Sequence, residues 1–416
     1  MFRAGFGASC ITPPLPCRLA GFARREGLSW QVAQQLWARA MVLEDATCRF
    51  GWVVCDLLEV GRSLVAEIRA AVDATGCLDG QDVMVSATHT HAGPDLSCEW
   101  ADGGRAHGEA QAAYHNFLAH AVASSLVAAV SDLAPACLAW GEEAVYGAGA
   151  GRRAGGAGPQ RLGALTATEG ARLRGMRVIY PCHGTVLGPD NLSVSGDIIG
   201  TTVEALERAT GAVGGCSWAQ GAAGDVSTRF TRRERTFVEL QRLARVVATG
   251  AQRAAGAAKP LTGDFRARLE RTSVPLPMKS DDALGSQREV VPVPERAPGD
   301  RSKAALVEEA LAARAARRNG ASQPEDEAEI CVLSIGQLDL CFLPGEPFES
   351  IELALRQRTD LPDLHVVGYS NGAPGYIFTP EEEPEAGYEV MASPLTGGAG
   401  ESIVSAATRL LSQTRT

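Results

Sequence analysis

The run Asp82-Val-Met-Val-Ser-Ala-Thr-His-Thr-His-Ala-Gly-Pro94 opens on apolar, β-branched residues and closes on a Gly-Pro pair that cannot continue a sheet. It reads as a buried strand delivering His89 and His91 at its end. Strand side chains alternate between faces, so residues two apart emerge on the same side. Two imidazoles converging there suit a divalent metal such as zinc. Hydrogen-bonded loop histidines are the alternative for a bare His-x-His, and the rest of the chain has to decide.

The chain has 416 residues, enough for one large domain or two to three smaller ones around a substantial core. Its 39 basic and 49 acidic residues give a formal charge of −10, and no long basic run interrupts that background, so nucleic acid is not an expected partner. Met1 to Pro14 lacks the basic-then-apolar order of a secretion signal, and no apolar run approaches the roughly 20 residues of a membrane span. The eleven cysteines are odd in number and scattered, with no Cys-x-x-Cys pair. That speaks against a disulfide framework and against a thiolate zinc site. A soluble protein of the reducing cytoplasm is the expectation.

Working outward, Leu36–Leu43 and Arg49–Asp56 read as a hairpin. Asp56, at its end, is a loop carboxylate, a cap for the helix expected over Gly61–Ala74, or a partner to a metal histidine. Helical spacing runs from Ala110 to Leu133 and carries His115 and His120, read as surface or core-packed rather than as ligands. Tyr146–Gly158 is a permissive Gly/Ala/Arg loop holding Arg152 and Arg153. Arg177–Thr185 repeats the strand-then-histidine arrangement with His183. Helices are expected at Thr201–Thr210 and Arg235–Ala257. Pro275–Gln323, with a helix at Lys303–Arg318, reads as a surface excursion. The strands Ile330–Ile335 and Leu338–Leu343 follow, the second handing over to a turn that carries Glu346. Val366–Gly372 and Gly375–Phe378 supply more strand and turn, and a helix closes the chain at about Gly400–Ser412. No internal repeat is evident.

Three strand ends therefore offer His89, His183 and Glu346, the two-imidazole, one-carboxylate set of a catalytic zinc that keeps a position open for water. In the same order, Ile11-Thr12-Pro13, Thr88-His89-Thr90-His91-Ala92-Gly93-Pro94, Cys182-His183-Gly184-Thr185, Gly224-Asp225-Val226-Ser227, Leu343-Pro344-Gly345-Glu346-Pro347, and Asn371-Gly372 with Gly375-Tyr376 and Tyr388-Glu389 resemble the signatures of the neutral/alkaline non-lysosomal ceramidases, specifically their catalytic domain. The resemblance spans nearly the whole chain.

It implies one zinc per chain held by His89, His183, Glu346 and Tyr376, with His91 as general base and then acid. Arg152 and Tyr388 match the residues that steady the oxyanion. Ser227 matches a serine to which a nucleophilic role has also been given; lacking a neighbouring histidine in sequence, it is read as substrate-binding or turn-forming. Gly184, Gly151 and Thr228 depart from the family's usual Pro, Asn and Pro, which bears on the lipid substrate more than on the metal.

The expectation is an α/β protein with a central mixed β-sheet core flanked by helices, one catalytic domain over residues 1–416 without a C-terminal β-sandwich. It would act as a zinc-dependent hydrolase of a linear amide in a ceramide-like or smaller N-acyl amine. The rivals are a serine amidase built on Ser227 and a non-catalytic binding protein with a structural metal.

Overall fold

The structure is a computed structural model that describes residues 2–46, 48–97, 101–102, 105–153, 158–262, 265–266, 272–279, 308, 310, 326–385 and 387–414. Most of the excursion expected over 275–325 lies outside these residues, as does its 303–318 helix save for residues 308 and 310.

The fold is α/β with mixed sheets, but the core is built from three five-stranded sheets rather than one. In the first, β1 (Arg3–Cys10) lies beside the hairpin β2 (Trp37–Glu44) and β3 (Arg49–Cys55). Helix α1 (Arg62–Asp73) crosses to β4 (Val83–Ala87), which runs parallel to β3, and α2 (Gly108–Ser131) then packs on α1 and β1.

The second sheet repeats this. β5 (Cys137–Val145) flanks the antiparallel pair β6 (Gln160–Glu169) and β7 (Arg172–Tyr180); α3 (Asp197–Thr210) leads to β8 (Cys216–Gln220), parallel to β7, and α4 (Phe237–Gly256) packs on α3. In the third, Thr272–Pro275 flanks the hairpin β9 (Glu327–Ile335) and β10 (Leu338–Phe342). Helix α5 (Glu349–Thr359) leads to β11 (Leu364–Val367), parallel to β10; after the short α6 (Tyr388–Ala392), α7 (Gly397–Thr414) packs on α5. The chain therefore does repeat, in topology though not in residues.

Period-two patterning explains how three sheets share one interior. Met41, Leu43, Phe50, Trp52, Val54 and Met84 face a common core with Leu165, Ile179, Leu333, Leu340 and Phe342. Their neighbours Ala40, Val42, Val53 and Val85 face α1 and α2. Val178 and Trp218 likewise face α3 and α4, and Val332 and Val366 face α5 and α7. Strands buried on both faces read as near-continuous apolar runs.

The strands β5 and β6 carry no such run and were not expected. Gly141 and Gly163 interrupt them, and both are close-approach positions: a Cβ on Gly141 would lie 2.0 Å from the Ala254 carbonyl oxygen of α4, and one on Gly163 2.1 Å from the Trp140 ring. Helix α3 begins at Asp197 rather than Thr201. Asp56, in the bend that follows β3, is a loop carboxylate and not the cap of α1. α1 starts after Gly61 with no side-chain cap, and Asp56 accepts the Trp37 amide proton at 2.8 Å while facing Arg39 at 3.6 Å.

Candidate metal centre

The turns that follow β4, β7, β10 and β11 gather at the carboxyl ends of the parallel strand pairs, where open α/β sheets leave a crevice. His89 follows β4 in the left-handed region, φ 60°. Its Nδ1 lies 2.8 Å from the Leu58 carbonyl oxygen. His183 follows β7, with Nδ1 2.9 Å from the Ala223 carbonyl oxygen and 3.1 Å from that of Val226. A carbonyl only accepts, so both Nδ1 atoms carry the proton and both Nε2 atoms turn their lone pairs inward.

Glu346 enters from the turn after β10. Gly345, at φ 61°, makes that turn possible, since a Cβ there would lie 2.4 Å from the Gly375 carbonyl oxygen. Glu346 Oε2 is 3.3 Å from His89 Nε2 and 3.2 Å from His183 Nε2. All three residues are buried. Burial first, and then the Arg152 cation, lowers the His183 imidazolium to about 3, so this ring is neutral at physiological pH. An unprotonated nitrogen facing a carboxylate oxygen at 3.2 Å is an acceptor against an acceptor. A cation resolves that contact, and the donor set of imidazoles and a carboxylate fits a divalent metal.

His91 completes the cluster: its ligand nitrogen lies within 4.8 Å of those of His89 and His183, and its Nε2 is 3.2 Å from His89 Nε2. Its Nδ1 is buried and has no hydrogen-bond partner among the described residues. The ring is held by the edge of Phe22 at 4.9 Å and by Gly21, where a Cβ would come within 2.4 Å of it. Burial, followed by the two neighbouring histidines, lowers its basicity well below the ordinary value.

Arg152 stands beside these groups. Its Nη2 donates to the Gly224 carbonyl and lies 3.4 Å from His183 Nε2, while its Nε is 3.1 Å from Glu389. Burial works against its charge, but Glu389 and Tyr376 outweigh that and keep the guanidinium protonated. Tyr376 pairs in register with Glu346 and stacks on His183 with ring centroids 6.4 Å apart. Tyr388, the first residue of α6, is one ring further out, 6.4 Å from Tyr376. Ser227 bridges to His183 through the backbone, and its Oγ accepts the Arg229 amide proton at 3.2 Å. No histidine nitrogen bonds to that hydroxyl among the described residues. His120, on α2, bonds through Nδ1 to the Asn116 carbonyl of its own helix.

Four supporting groups were given no role by the sequence reading. Gln220 ties the two histidine turns together: Nε2 donates to the Thr88 carbonyl at 2.8 Å and the Cys182 carbonyl at 2.6 Å. Asp197, at φ 50°, holds the loop after His183 by accepting the Val186 and Leu187 amides at 3.0 and 2.9 Å. Glu389 is the anion of Arg152. Tyr369, at φ 56°, lies with its ring 4.4 Å from that of His89. Left-handed backbone at non-glycine residues collects at functional sites, and among the described residues His89, Asp197, Tyr369 and Asn371 adopt it here. That strain has no one-residue signature in a sequence.

Residues 2–155 match the family described as neutral/alkaline non-lysosomal ceramidase, N-terminal. Neutral ceramidase of Pseudomonas aeruginosa is 32% identical over 98 residues, a stretch covering 22% of this chain and 15% of that relative. The crystal structure of neutral ceramidase from Pseudomonas aeruginosa superposes with a TM-score of 0.77 at 19% identity, over 99% of this chain and 75% of that one. A structure described as ceramidase complexed with C2 gives a TM-score of 0.75 at 18% identity, over 100% of this chain and 75% of the other. At these identities the superpositions establish the shared fold.

Proposed function

We propose that this chain, a member of the neutral/alkaline non-lysosomal ceramidase family, hydrolyses the linear amide of an N-acyl amine using one zinc ion held by His89, His183, Glu346 and Tyr376. The observation that carries this reading is the acceptor-to-acceptor contact of His183 Nε2 with Glu346 Oε2 at 3.2 Å, inside a buried cluster of three histidines. Zinc in such a site supplies Lewis acidity and lowers the pKa of a water toward about 7.

The chain's own residues do the rest. His91, neutral and with a ring nitrogen 3.2 Å from His89 Nε2, takes the proton of the attacking water and returns it to the departing amine. Atoms balance: the C–N bond breaks, a C–O bond forms, and the water's two hydrogens end on the acid and the amine. Charge that grows on the carbonyl oxygen is met by Arg152, which Glu389 and the Gly224 carbonyl hold in one orientation, and by Tyr388 at the outer edge. Ser227 shapes the turn and the substrate's seat; without a base on its hydroxyl it is not the nucleophile.

The substrate is a ceramide-like or smaller N-acyl amine. A core shared by all three sheets supports treating the chain as one catalytic unit. Its ten free thiols among the described residues support a reducing, cytoplasmic setting. Purified protein assayed against N-acyl amines from long-chain ceramide to short acetamides, with and without chelator, tests this reading. Turnover that disappears with the metal and returns with zinc is expected; chelator-resistant turnover refutes the metal mechanism.

A further inference from the structure

Tyr369 is buried to 1% exposure, and its hydroxyl has no hydrogen-bond partner among the described residues. A phenol placed that way has given up its hydration for nothing unless something outside the free protein satisfies it. The placement is also deliberate in the backbone. The Tyr369 carbonyl accepts the Ala87 amide at 2.9 Å, two residues before His89, and its amide donates to the Gly345 carbonyl at 2.8 Å, immediately before Glu346. The residue thus bolts the first histidine turn to the carboxylate turn, at a φ of 56° that a side chain rarely adopts.

The ring packs on His89, with centroids 4.4 Å apart, and the His183 ring is 4.4 Å from that of His89 and 6.5 Å from that of Tyr369. Its hydroxyl is in electrostatic reach of Glu346, Tyr376 and Arg152. Packing alone would be served as well by phenylalanine. A phenol of ordinary acidity keeps its proton throughout the neutral range, so the hydroxyl is available as a donor.

We propose that Tyr369 is a further catalytic residue: its hydroxyl donates a hydrogen bond to the substrate oxygen that gains charge as the amide is attacked. This rests on the amidase reading above and adds a donor on the His89 side of the cluster, whereas Arg152 stands by His183 and Tyr388 further out. Removing one such donor costs about 10²–10³ in kcat.

The test compares zinc-loaded wild type with Tyr369→Phe, which keeps the ring and removes only the hydroxyl. Expected are equal zinc content, a metal-free melting temperature unchanged or raised, and a kcat lower by about 10²-fold with KM little altered. Calorimetric affinity for acetohydroxamate, an oxygen-donor probe of the metal, should fall at least about tenfold, the worth of one charge-assisted hydrogen bond. Unchanged hydroxamate affinity and kcat would overturn the proposal. So would loss of zinc or a lowered metal-free melting temperature, because either makes the hydroxyl structural. Wild type that binds no zinc would refute the amidase reading itself, without recourse to the variant, and Tyr369's role with it.

Discussion

His183 Nε2 and Glu346 Oε2 lie 3.2 Å apart, each delivered by the turn after the second strand of a hairpin, in different sheets. The repeated topology brings them together. Asp56 holds the corresponding point of the first sheet and is spent on Arg39 and the Trp37 amide, so that sheet contributes through the turn after β4 instead. Glu346→Gln keeps the shape and removes the charge. It should lower zinc affinity by on the order of 10²-fold or more, beyond what outer-shell partners are worth, and His89→Ala should do the same. Titration against a competing chelator measures both, and full zinc occupancy in either variant contradicts the ligand assignment.

His91 and Ser227 separate two mechanisms. His91→Ala should retain zinc yet lose about 10²–10⁴ in kcat, the usual contribution of a positioned proton carrier. Ser227→Ala, which removes a hydroxyl that accepts the Arg229 amide proton, should cost less than about tenfold. Steady-state rates on one substrate decide the matter, since equal losses would restore the serine as nucleophile.

Gly21 gives an independent handle on the same imidazole. At φ 93° and with the His91 ring 2.4 Å from a prospective Cβ, it holds the ring in position by having no side chain. Gly21→Ala should displace His91 and lower kcat at least about tenfold while zinc content stays whole, because a misplaced base loses much of its proton-transfer advantage. Zinc lost along with the rate would place His91 among the ligands.

Away from the centre, Glu142 of β5 accepts from His365 of β11 at 2.9 Å and pairs with Arg161, joining the second sheet to the third. Burial alone would raise its carboxyl, but His365 and Arg161 outweigh that and bring it down to about 2. A depressed folded value means stability present above the unfolded value of 4.5 and lost as pH falls toward 2. Glu142→Gln should therefore melt a few degrees below wild type at pH 7, with the gap closing below about pH 4.5. Melting curves across that range check it, and a gap independent of pH would contradict it.

The residues that gather at the carboxyl ends of the parallel strands were easier to pick out in the sequence than the scaffold. His89, His183 and Glu346 sit at the ends of runs buried on both faces, and such runs are visible without a partner. β5 and β6 hid behind Gly141 and Gly163, whose missing side chains make sense only once Ala254 and Trp140 are packed against them. The threefold repetition was invisible because each sheet fills its share of the common core with different residues. Arg152 lies in a Gly/Ala/Arg loop with no pattern of its own, and it is Glu389 and the Gly224 carbonyl that fix it beside His183. Tyr369 looked like part of a strand, because its left-handed backbone and its contact with His89 arise only when the third sheet meets the first.

The central claim is most directly tested by elemental analysis of the purified protein coupled to amide hydrolysis before and after metal removal. One zinc per chain, with turnover lost on chelation and regained on adding zinc, is the predicted result. Protein free of zinc that still hydrolyses the amide at full rate would contradict it.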